Sequence, residues 1–185
     1  KKILITGNTG FKGSWLTAWL LGLKAEVYGI SIDIPTEPAM FKVLGLKDKI
    51  THYSRDIRDY ASLKEIISKI KPDFVFHMAA RTDIINGASV DDYAVNTKGV
   101  KNLIEAIKKI NSVQCVIFAS SMLVCRIGFS PSSETEYCPS TPYGESKIIG
   151  EQLIRKEAAK KFPWVIVRPT SIWGPWFEAP YRDFF

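Results

Sequence analysis

The chain has 185 residues, of which 46% are hydrophobic and 24% charged, a globular composition that excludes intrinsic disorder and collagen-like repeats. Lys and Arg exceed Asp and Glu by 25 to 19, and the resulting charge of +6 favours phosphate-bearing ligands, while the lack of any block of five like charges argues against nucleic-acid binding. The longest mainly apolar run, Trp15 to Leu23, is half the ~20 residues of a membrane-spanning helix, and no signal-peptide pattern precedes it. We therefore expect a soluble, cytoplasmic protein.

Short runs rich in β-branched and aromatic residues alternate with longer segments in which apolar residues recur every three or four positions. Strands are predicted over residues 2–6, 26–32, 50–53, 73–77, 113–119 and 164–168. Helices are predicted over residues 11–23, 62–70, 90–110 and 142–162. This alternation predicts an α/β protein with a doubly wound parallel sheet in a three-layer α/β/α arrangement, covered by helices on both faces. Ligands of such a sheet bind outside the carboxyl ends of the strands.

The first predicted helix carries an apolar stripe. Its large apolar residues recur at three- and four-residue spacing and are Trp15, Leu16, Trp19, Leu20 and Leu23. We expect Trp15 and Trp19 to face the core rather than to form a stacking platform for nucleic-acid bases.

A glycine-rich turn joins the first strand to this helix. Gly7, Gly10 and Gly13 recur every three residues in the strand-turn-helix context of a dinucleotide-binding loop, although the spacing differs from G-x-G-x-x-G. Glycine permits the tight turn and lets a pyrophosphate approach the backbone, and the N–H groups of the helix start face the anion. Twenty residues beyond Gly13, Asp33 ends the second strand, where a carboxylate binds the ribose 2′-OH and repels a 2′-phosphate. The pattern predicts binding of NAD rather than NADP.

Acid–base chemistry is predicted where the last helix begins. Thr141 suits the N-cap and Pro142 the first helical position, so Tyr143 and Lys147 lie four residues apart on one face. An ammonium group and a helix N-terminus both stabilise a phenolate, which predicts a lowered pKa for Tyr143. The Ser120-Ser121 pair ends the fifth strand at the same edge of the sheet and offers a hydroxyl that can hold a substrate oxygen.

At these residues the sequence resembles the extended short-chain dehydrogenase/reductase family, which includes NAD-dependent sugar-nucleotide epimerases and dehydratases. The resemblance covers essentially the whole chain and implies a Rossmann-like, NAD-binding fold. Further segments that match family motifs in order are Asp56-Ile57, His77 to Arg81, Asn96 and Arg168 to Pro175. The catalytic residues that the resemblance implies are Ser121, Tyr143 and Lys147. The resemblance, together with the position of Asp33, also predicts the cofactor-binding residues. They are Gly7, Thr9, Gly10, Phe11, Lys12, Gly13, Asp33, Asp56, Ile57, Ala79, Ala80, Arg81, Asn96, Tyr143, Lys147 and Pro169.

Different parts of the chain resemble different branches of this family. Thr9 to Leu16 and Pro35 to Pro38 are similar to the CDP-glucose 4,6-dehydratases. Such dehydratases follow the catalytic Ser or Thr with an acidic residue and then Glu or Lys, whereas this chain has Met122-Leu123, which cannot exchange a proton. Residues 134–136 and 171–175 are more like the UDP-glucose 4-epimerases and the keto-sugar reductases, which need only the Ser, Tyr and Lys set.

We therefore predict an NAD-dependent epimerase that acts on a nucleotide-diphosphate sugar through a transient 4-keto intermediate. The alternatives within enzymes are an NAD(P)-dependent reductase of a keto-sugar nucleotide and a 4,6-dehydratase. The alternative outside enzymes is a Rossmann module that senses a dinucleotide. Cys125-Arg126 replaces the Tyr-Gly of many relatives, which leaves the fit of the sugar open.

The resemblance also predicts the domain organisation. Residues 1–175 are expected to form the NAD-binding domain with the catalytic residues, and residues 176–185 to begin a C-terminal substrate-binding lobe that the chain otherwise lacks. Relatives usually dimerise through the helices predicted here at 90–110 and 142–162, so a homodimer is expected.

No metal site is expected. Cys115, Cys125 and Cys138 are odd in number and lack the Cys/His spacing of zinc sites, so reduced thiols are predicted. His52 is isolated in the sequence, and His77 at a strand end is expected to have a structural rather than a general-base role.

Overall fold

The computed structural model describes residues 1–83, 86–159, 161–172 and 174. The strands in these residues are β1 Lys2–Thr6, β2 Glu26–Ser31, β3 Thr51–Ser54, β4 Phe74–His77, β5 Cys115–Ala119 and β6 Trp164–Val167. They form one sheet in the order β3-β2-β1-β4-β5-β6, and every neighbouring pair is parallel. Because the order reverses between β1 and β4, the Rossmann-like, doubly wound sheet predicted from the sequence is confirmed.

The helices of the described residues are α1 Phe11–Gly22, α2 Met40–Val43, α3 Tyr60–Ile70, α4 Ala94–Ile107 and α5 Pro142–Leu153. The helix predicted at 90–110 begins with a 3-10 turn at Val90–Tyr93, and the one predicted at 142–162 passes into a π-helical turn at Ile154–Ala158. The sequence pattern misses the short helix α2. Within the described ranges, no helix has the length and apolarity needed to cross a membrane.

Helices α3, α4 and α5 pack side by side on one face of the sheet. Buried side chains from the strands, such as Leu4, Val75 and Phe118, meet Ile67 of α3 and Leu103 of α4. This is the larger of the hydrophobic clusters, and it sets the position of α5 against the carboxyl end of β5.

Helix α1 covers the other face of the sheet at β1 and β2, where Leu20 packs against Ile5 and Val27. The buried residues of this helix are Gly13, Ser14, Thr17 and Leu20. Trp15 is 44% exposed and Trp19 is 66% exposed, so the prediction that both face the core is wrong. The reason is the close approach of the helix to the preceding loop: a Cβ on Gly13 would lie 2.0 Å from the carbonyl oxygen of Gly7, so the side of α1 that meets the loop accepts only small residues.

The two tryptophans instead border an apolar groove of about 620 Å³. Side chains from α1, β4, β5 and β6 line it, including Phe76 and Ile117. Val165 and Val167 are 47% and 38% exposed on β6. Within the described residues, helices therefore cover both faces of the sheet at β1, as expected, but they leave one face exposed at β6.

The contact between Gly13 and Gly7 gives a stability prediction. Gly13→Ala should lower the free energy of unfolding by about 1–3 kcal/mol, because the added methyl must displace the loop backbone. Gly22→Ala is the matched control on the same helix, since no atom lies within 4 Å of its added Cβ. Urea unfolding of both variants without ligand measures the difference, and equal stabilities would contradict the packing described here.

Candidate active site

The glycine loop lies at the carboxyl end of β1 and against the segment that follows β4. Gly7 has φ of +74°, and a Cβ there would lie 2.6 Å from the backbone nitrogen of Ala79. Gly10 is the N-cap of α1, and the nearest atom to a Cβ on it is the Gly7 oxygen at 3.6 Å. The first turn of α1 contains no acidic residue and its first N–H groups have no acceptor within the helix. The loop therefore fits an anion at the helix start, as a dinucleotide pyrophosphate requires.

Hydrogen bonds tie this loop to the end of β2. The Ser31 hydroxyl donates to Asn8 Oδ1 at 2.8 Å, and the Thr9 hydroxyl donates to the backbone oxygen of Asp33 at 2.6 Å. The Asp33 side chain is exposed at this edge. The structure thus brings Asp33 next to the glycine loop, in a position that suits a ribose hydroxyl.

Two further predicted cofactor residues follow β3. Arg58 forms a bidentate ion pair with the carboxylate of Asp56, and this hydrogen bonding lowers the pKa of Asp56. Ile57 is buried in the core. On α1, Phe11 and Lys12 are half-buried, and burial lowers the pKa of Lys12.

Asn96 joins three elements at the carboxyl edge of the sheet. Its side chain is buried, donates to the Arg81 oxygen at 3.0 Å and to the Ser146 hydroxyl at 2.9 Å, and accepts from the Arg81 N–H at 2.9 Å. Ala79 and Ala80 lie in the same segment, and the Ala79 N–H donates to the Thr6 hydroxyl at 3.3 Å. Asn96 therefore fixes the loop after β4 to α4 and α5.

The three predicted catalytic residues converge. The Thr141 hydroxyl caps α5, and the Tyr143 and Lys147 side chains on its inner side are buried. The Lys147 ammonium donates to the Ala119 oxygen at 3.0 Å and lies 5.8 Å from the centre of the Tyr143 ring. The Ser121 hydroxyl, just after β5, accepts from the Leu123 N–H at 3.1 Å and hydrogen-bonds to Tyr143.

Burial sets the protonation of this group. It lowers the pKa of Lys147 to about 8, assisted by the charge of Lys12 and opposed by Glu151. Burial also raises the pKa of Tyr143 above its usual value near 10, although the Ser121 hydrogen bond lowers it. The expected lowering of the Tyr143 pKa is therefore wrong for this site, because loss of water around the phenol outweighs the charges nearby. At pH 7 Lys147 is an ammonium and Tyr143 a neutral phenol.

A buried carboxylate that sequence reasoning missed lies next to these residues. Glu151 is 1% exposed and accepts from the Ser120 hydroxyl at 2.6 Å, from Tyr137 at 3.0 Å and from both Arg168 donors at 2.8 and 2.6 Å. The Ser120 hydroxyl is thus turned away from Tyr143, which leaves Ser121 as the hydroxyl of the site. The i, i+4, i+8 spacing of Tyr143, Lys147 and Glu151 is the signal that could have revealed Glu151.

His77 and Pro169 complete the surroundings. His77 is buried with Nδ1 2.8 Å from the Thr6 hydroxyl, and burial lowers its pKa to about 3, so a general-base role near neutral pH is disfavoured and the structural role stays a prediction. The Pro169 oxygen accepts from the Met122 N–H at 3.1 Å, beside Ser121. Trp173 and residues 175–185, including the predicted start of a second lobe, lie outside the described residues.

The cysteines and the metal-ligand residues form no further site in the described part of the chain. Cys115, Cys125 and Cys138 are free thiols. No three His, Cys, Asp or Glu side chains of that part come together as metal ligands would.

Comparison with known proteins places these residues among relatives. A family model described as the NAD dependent epimerase/dehydratase family matches residues 3–184. CDP-glucose 4,6-dehydratase of Salmonella typhimurium is 37% identical over 123 residues, which are 65% of this chain and 34% of that protein. UDP-glucose 4-epimerase of Mycoplasma genitalium is 30% identical over 164 residues, which are 85% of this chain and 48% of that protein.

Among solved structures, UDP-glucuronic acid 4-epimerase from Bacillus cereus, in complex with UDP-glucuronic acid and NAD, superimposes with a TM-score of 0.82 at 30% identity. The match covers 95% of this chain and 58% of that chain. The chain spans about a third to somewhat over half of the length of the curated relatives it matches.

The burial of Lys147 gives a pH-dependent prediction. The folded protein binds the Lys147 proton more weakly, with a pKa of about 8 against 10.5, so the charged group costs stability below pH 8 and the cost vanishes as the pH approaches 10.5. The free energy of unfolding of the wild type should therefore rise, relative to Lys147→Met, by roughly 3 kcal/mol across this window. Chemical denaturation at several pH values measures it. A difference between the wild type and Lys147→Met that stays constant across this window would contradict the prediction.

Proposed function

The chain belongs to the NAD-dependent epimerase/dehydratase family, and from this premise we propose that it acts as an NAD-dependent epimerase on a nucleotide-diphosphate sugar, through a transient 4-keto intermediate. One observation carries the proposal. Ser121, Tyr143 and Lys147 meet at the sheet edge that also holds the glycine loop, while the positions after Ser121 hold Met122 and Leu123. The site thus has the groups for reversible oxidation of a hydroxyl without those for elimination.

The proposed cofactor is NAD. The tight approach of Gly7 and Gly13 leaves room for a pyrophosphate at the start of α1, and the exposed Asp33 carboxylate suits a ribose 2′-OH and repels the 2′-phosphate of NADP. When bound there, NAD would supply reversible hydride transfer at carbon 4 of the sugar, which an inversion at this carbon through a 4-keto sugar requires. Complexes of structural relatives with NAD support this choice for the present chain.

The roles of the side chains follow from their positions. Tyr143 exchanges a proton with the sugar 4-oxygen, and Ser121 holds that oxygen by a hydrogen bond. Because burial keeps Tyr143 protonated in the ligand-free site, we expect proton loss to accompany ligand binding, with the Lys147 ammonium 5.8 Å from the ring stabilising the phenolate. The Ala119 carbonyl and Asn96 keep the geometry fixed through both transfers.

A 4,6-dehydratase is the second candidate, because a CDP-glucose 4,6-dehydratase is 37% identical over 65% of this chain. The two residues that follow Ser121 argue against this activity. Elimination of water requires an acid and a base, and neither the exposed Met122 nor the half-buried Leu123 can exchange a proton. Asp33 similarly disfavours a reductase that consumes NADPH.

The larger organisation of the molecule is also a proposal. We propose that residues 1–175 are the NAD-binding domain and that residues 176–185 begin a substrate-binding lobe. Helices α4 and α5 are the proposed surface of a homodimer. A cytoplasmic location is supported by the free thiols of the described residues.

Tyr143→Phe separates an enzyme from a module that only binds a dinucleotide. We expect turnover of UDP- or CDP-hexoses to fall by about 10²–10⁴-fold, since the proton-exchanging hydroxyl is lost, while NAD affinity stays within about twofold. Tyr60→Phe on α3 is the control and should retain full turnover. NMR of the product and calorimetry with NAD are the measurements. Unchanged turnover in Tyr143→Phe would overturn the assignment, and a 4-keto-6-deoxy sugar from the wild type would replace epimerase by dehydratase.

A further inference from the structure

Glu151 is a buried charge that the proposed chemistry does not use. It lies on α5 one helical turn beyond Lys147 and is only 1% exposed. Its carboxylate is held by Arg168, Tyr137 and Ser120. The ion pair with the half-buried Arg168 is weak evidence of a stabilising role, since desolvation of the carboxylate offsets much of the attraction. The bond to Ser120 points to a different role, because it directs the carboxylate toward the residues around Lys147.

A small cavity connects the two side chains. Its volume is about 20 Å³, and Lys147, Ser120 and Glu151 all line it. A water molecule needs roughly 10–15 Å³ and two to four polar partners. The volume is large enough for one water, and the polar side chains that line the cavity are Lys147, Ser120, Glu151, Asn96 and His77.

Several titratable groups surround the Lys147 ammonium. Groups from each neighbouring element face it: Tyr143 and Glu151 from α5, His77 from β4 and Lys12 from α1. Tyr143 and His77 are neutral at pH 7, and Lys12 is positive. Among these groups Glu151 is the negative one, and although Arg168 pairs with it, its charge partly offsets the burial of the Lys147 ammonium.

We propose that Glu151 is a positioning residue, which keeps the Lys147 side chain charged and in place behind Tyr143 through Ser120 and a water molecule in the shared cavity. The consequence for catalysis rests on the proposed function, because only a charged Lys147 stabilises the phenolate of Tyr143. The effect on Lys147 itself does not depend on that function. If Glu151 had only a structural role, it would act through its hydrogen bonds to Arg168 and Tyr137. Its replacement would then leave the titration of Lys147 unchanged.

The test is an NMR titration of the Lys147 side-chain nitrogen in the ligand-free protein labelled with ¹⁵N-lysine. In Glu151→Gln, which retains the shape of the side chain but removes its charge, the midpoint should fall by about one pH unit or more. In Ser120→Ala, which leaves the Arg168 pair intact, it should fall by roughly half a unit. Tyr137→Phe is the matched control, because it loosens the same carboxylate on its other side and should leave the midpoint in place.

An unchanged midpoint in Ser120→Ala, or in a folded Glu151→Gln, overturns the proposal, as does an equal fall in Tyr137→Phe. If Glu151→Gln does not fold, Ser120→Ala decides the question alone. The pH profile of turnover provides a separate readout: the high-pH loss of activity should begin about one pH unit lower in Glu151→Gln. A wild type without epimerase activity removes this second readout and leaves the titration valid, so the two proposals fail separately.

Discussion

The desolvated ammonium of Lys147 is the interaction on which the site depends. A charge removed from water must be compensated by fixed polar groups, and here the Ala119 carbonyl at the end of β5 accepts its hydrogen bond. Lys147 reaches this carbonyl because α5 approaches the loop after β5 without bulky side chains: a Cβ on Gly144 would lie 2.2 Å from the Leu123 oxygen. Close packing of one helix end therefore places Tyr143, Lys147 and Glu151 on the inner side of the helix.

The remainder of the site is assembled from the ends of parallel strands. The loop after β1 supplies the turn proposed to bind the pyrophosphate, the end of β2 supplies Asp33, and the segment after β4 is held by Asn96. No two of these elements are adjacent in the sequence, yet the sheet order brings them to one edge. The same edge carries Ser121 after β5, so the proposed cofactor residues and the proposed acid–base residues share one sheet edge.

Much of this arrangement could be predicted from the sequence. Alternating strands and helices indicated the sheet, glycine spacing indicated the loop, and the four-residue spacing of Tyr143 and Lys147 placed them together. The failures have physical causes. Trp15 and Trp19 follow helical periodicity, but the contact between Gly13 and Gly7 selects which face of α1 meets the loop. Helical periodicity shows which residues share one face of a helix, but it does not show which part of the fold that face meets.

The protonation of the site and the part played by Glu151 could not be predicted for a related reason. The partner of Glu151 is Arg168, 17 residues away and directly after β6, and only the folded chain shows that the half-buried guanidinium pairs with the buried carboxylate. The pKa of Tyr143 likewise depends on how much water the fold removes, a quantity that no local motif contains.

The measurement that tests the central proposal most directly follows the hydrogen at carbon 4 of the sugar. A nucleotide hexose deuterated at this carbon is incubated with the enzyme and NAD, and the product is analysed by NMR and mass spectrometry. We expect a 4-epimer that keeps its deuterium, with no net formation of NADH, because the same hydride leaves and returns within one site. Loss of the deuterium from the product, or consumption of reduced cofactor in proportion to product, would contradict the proposal.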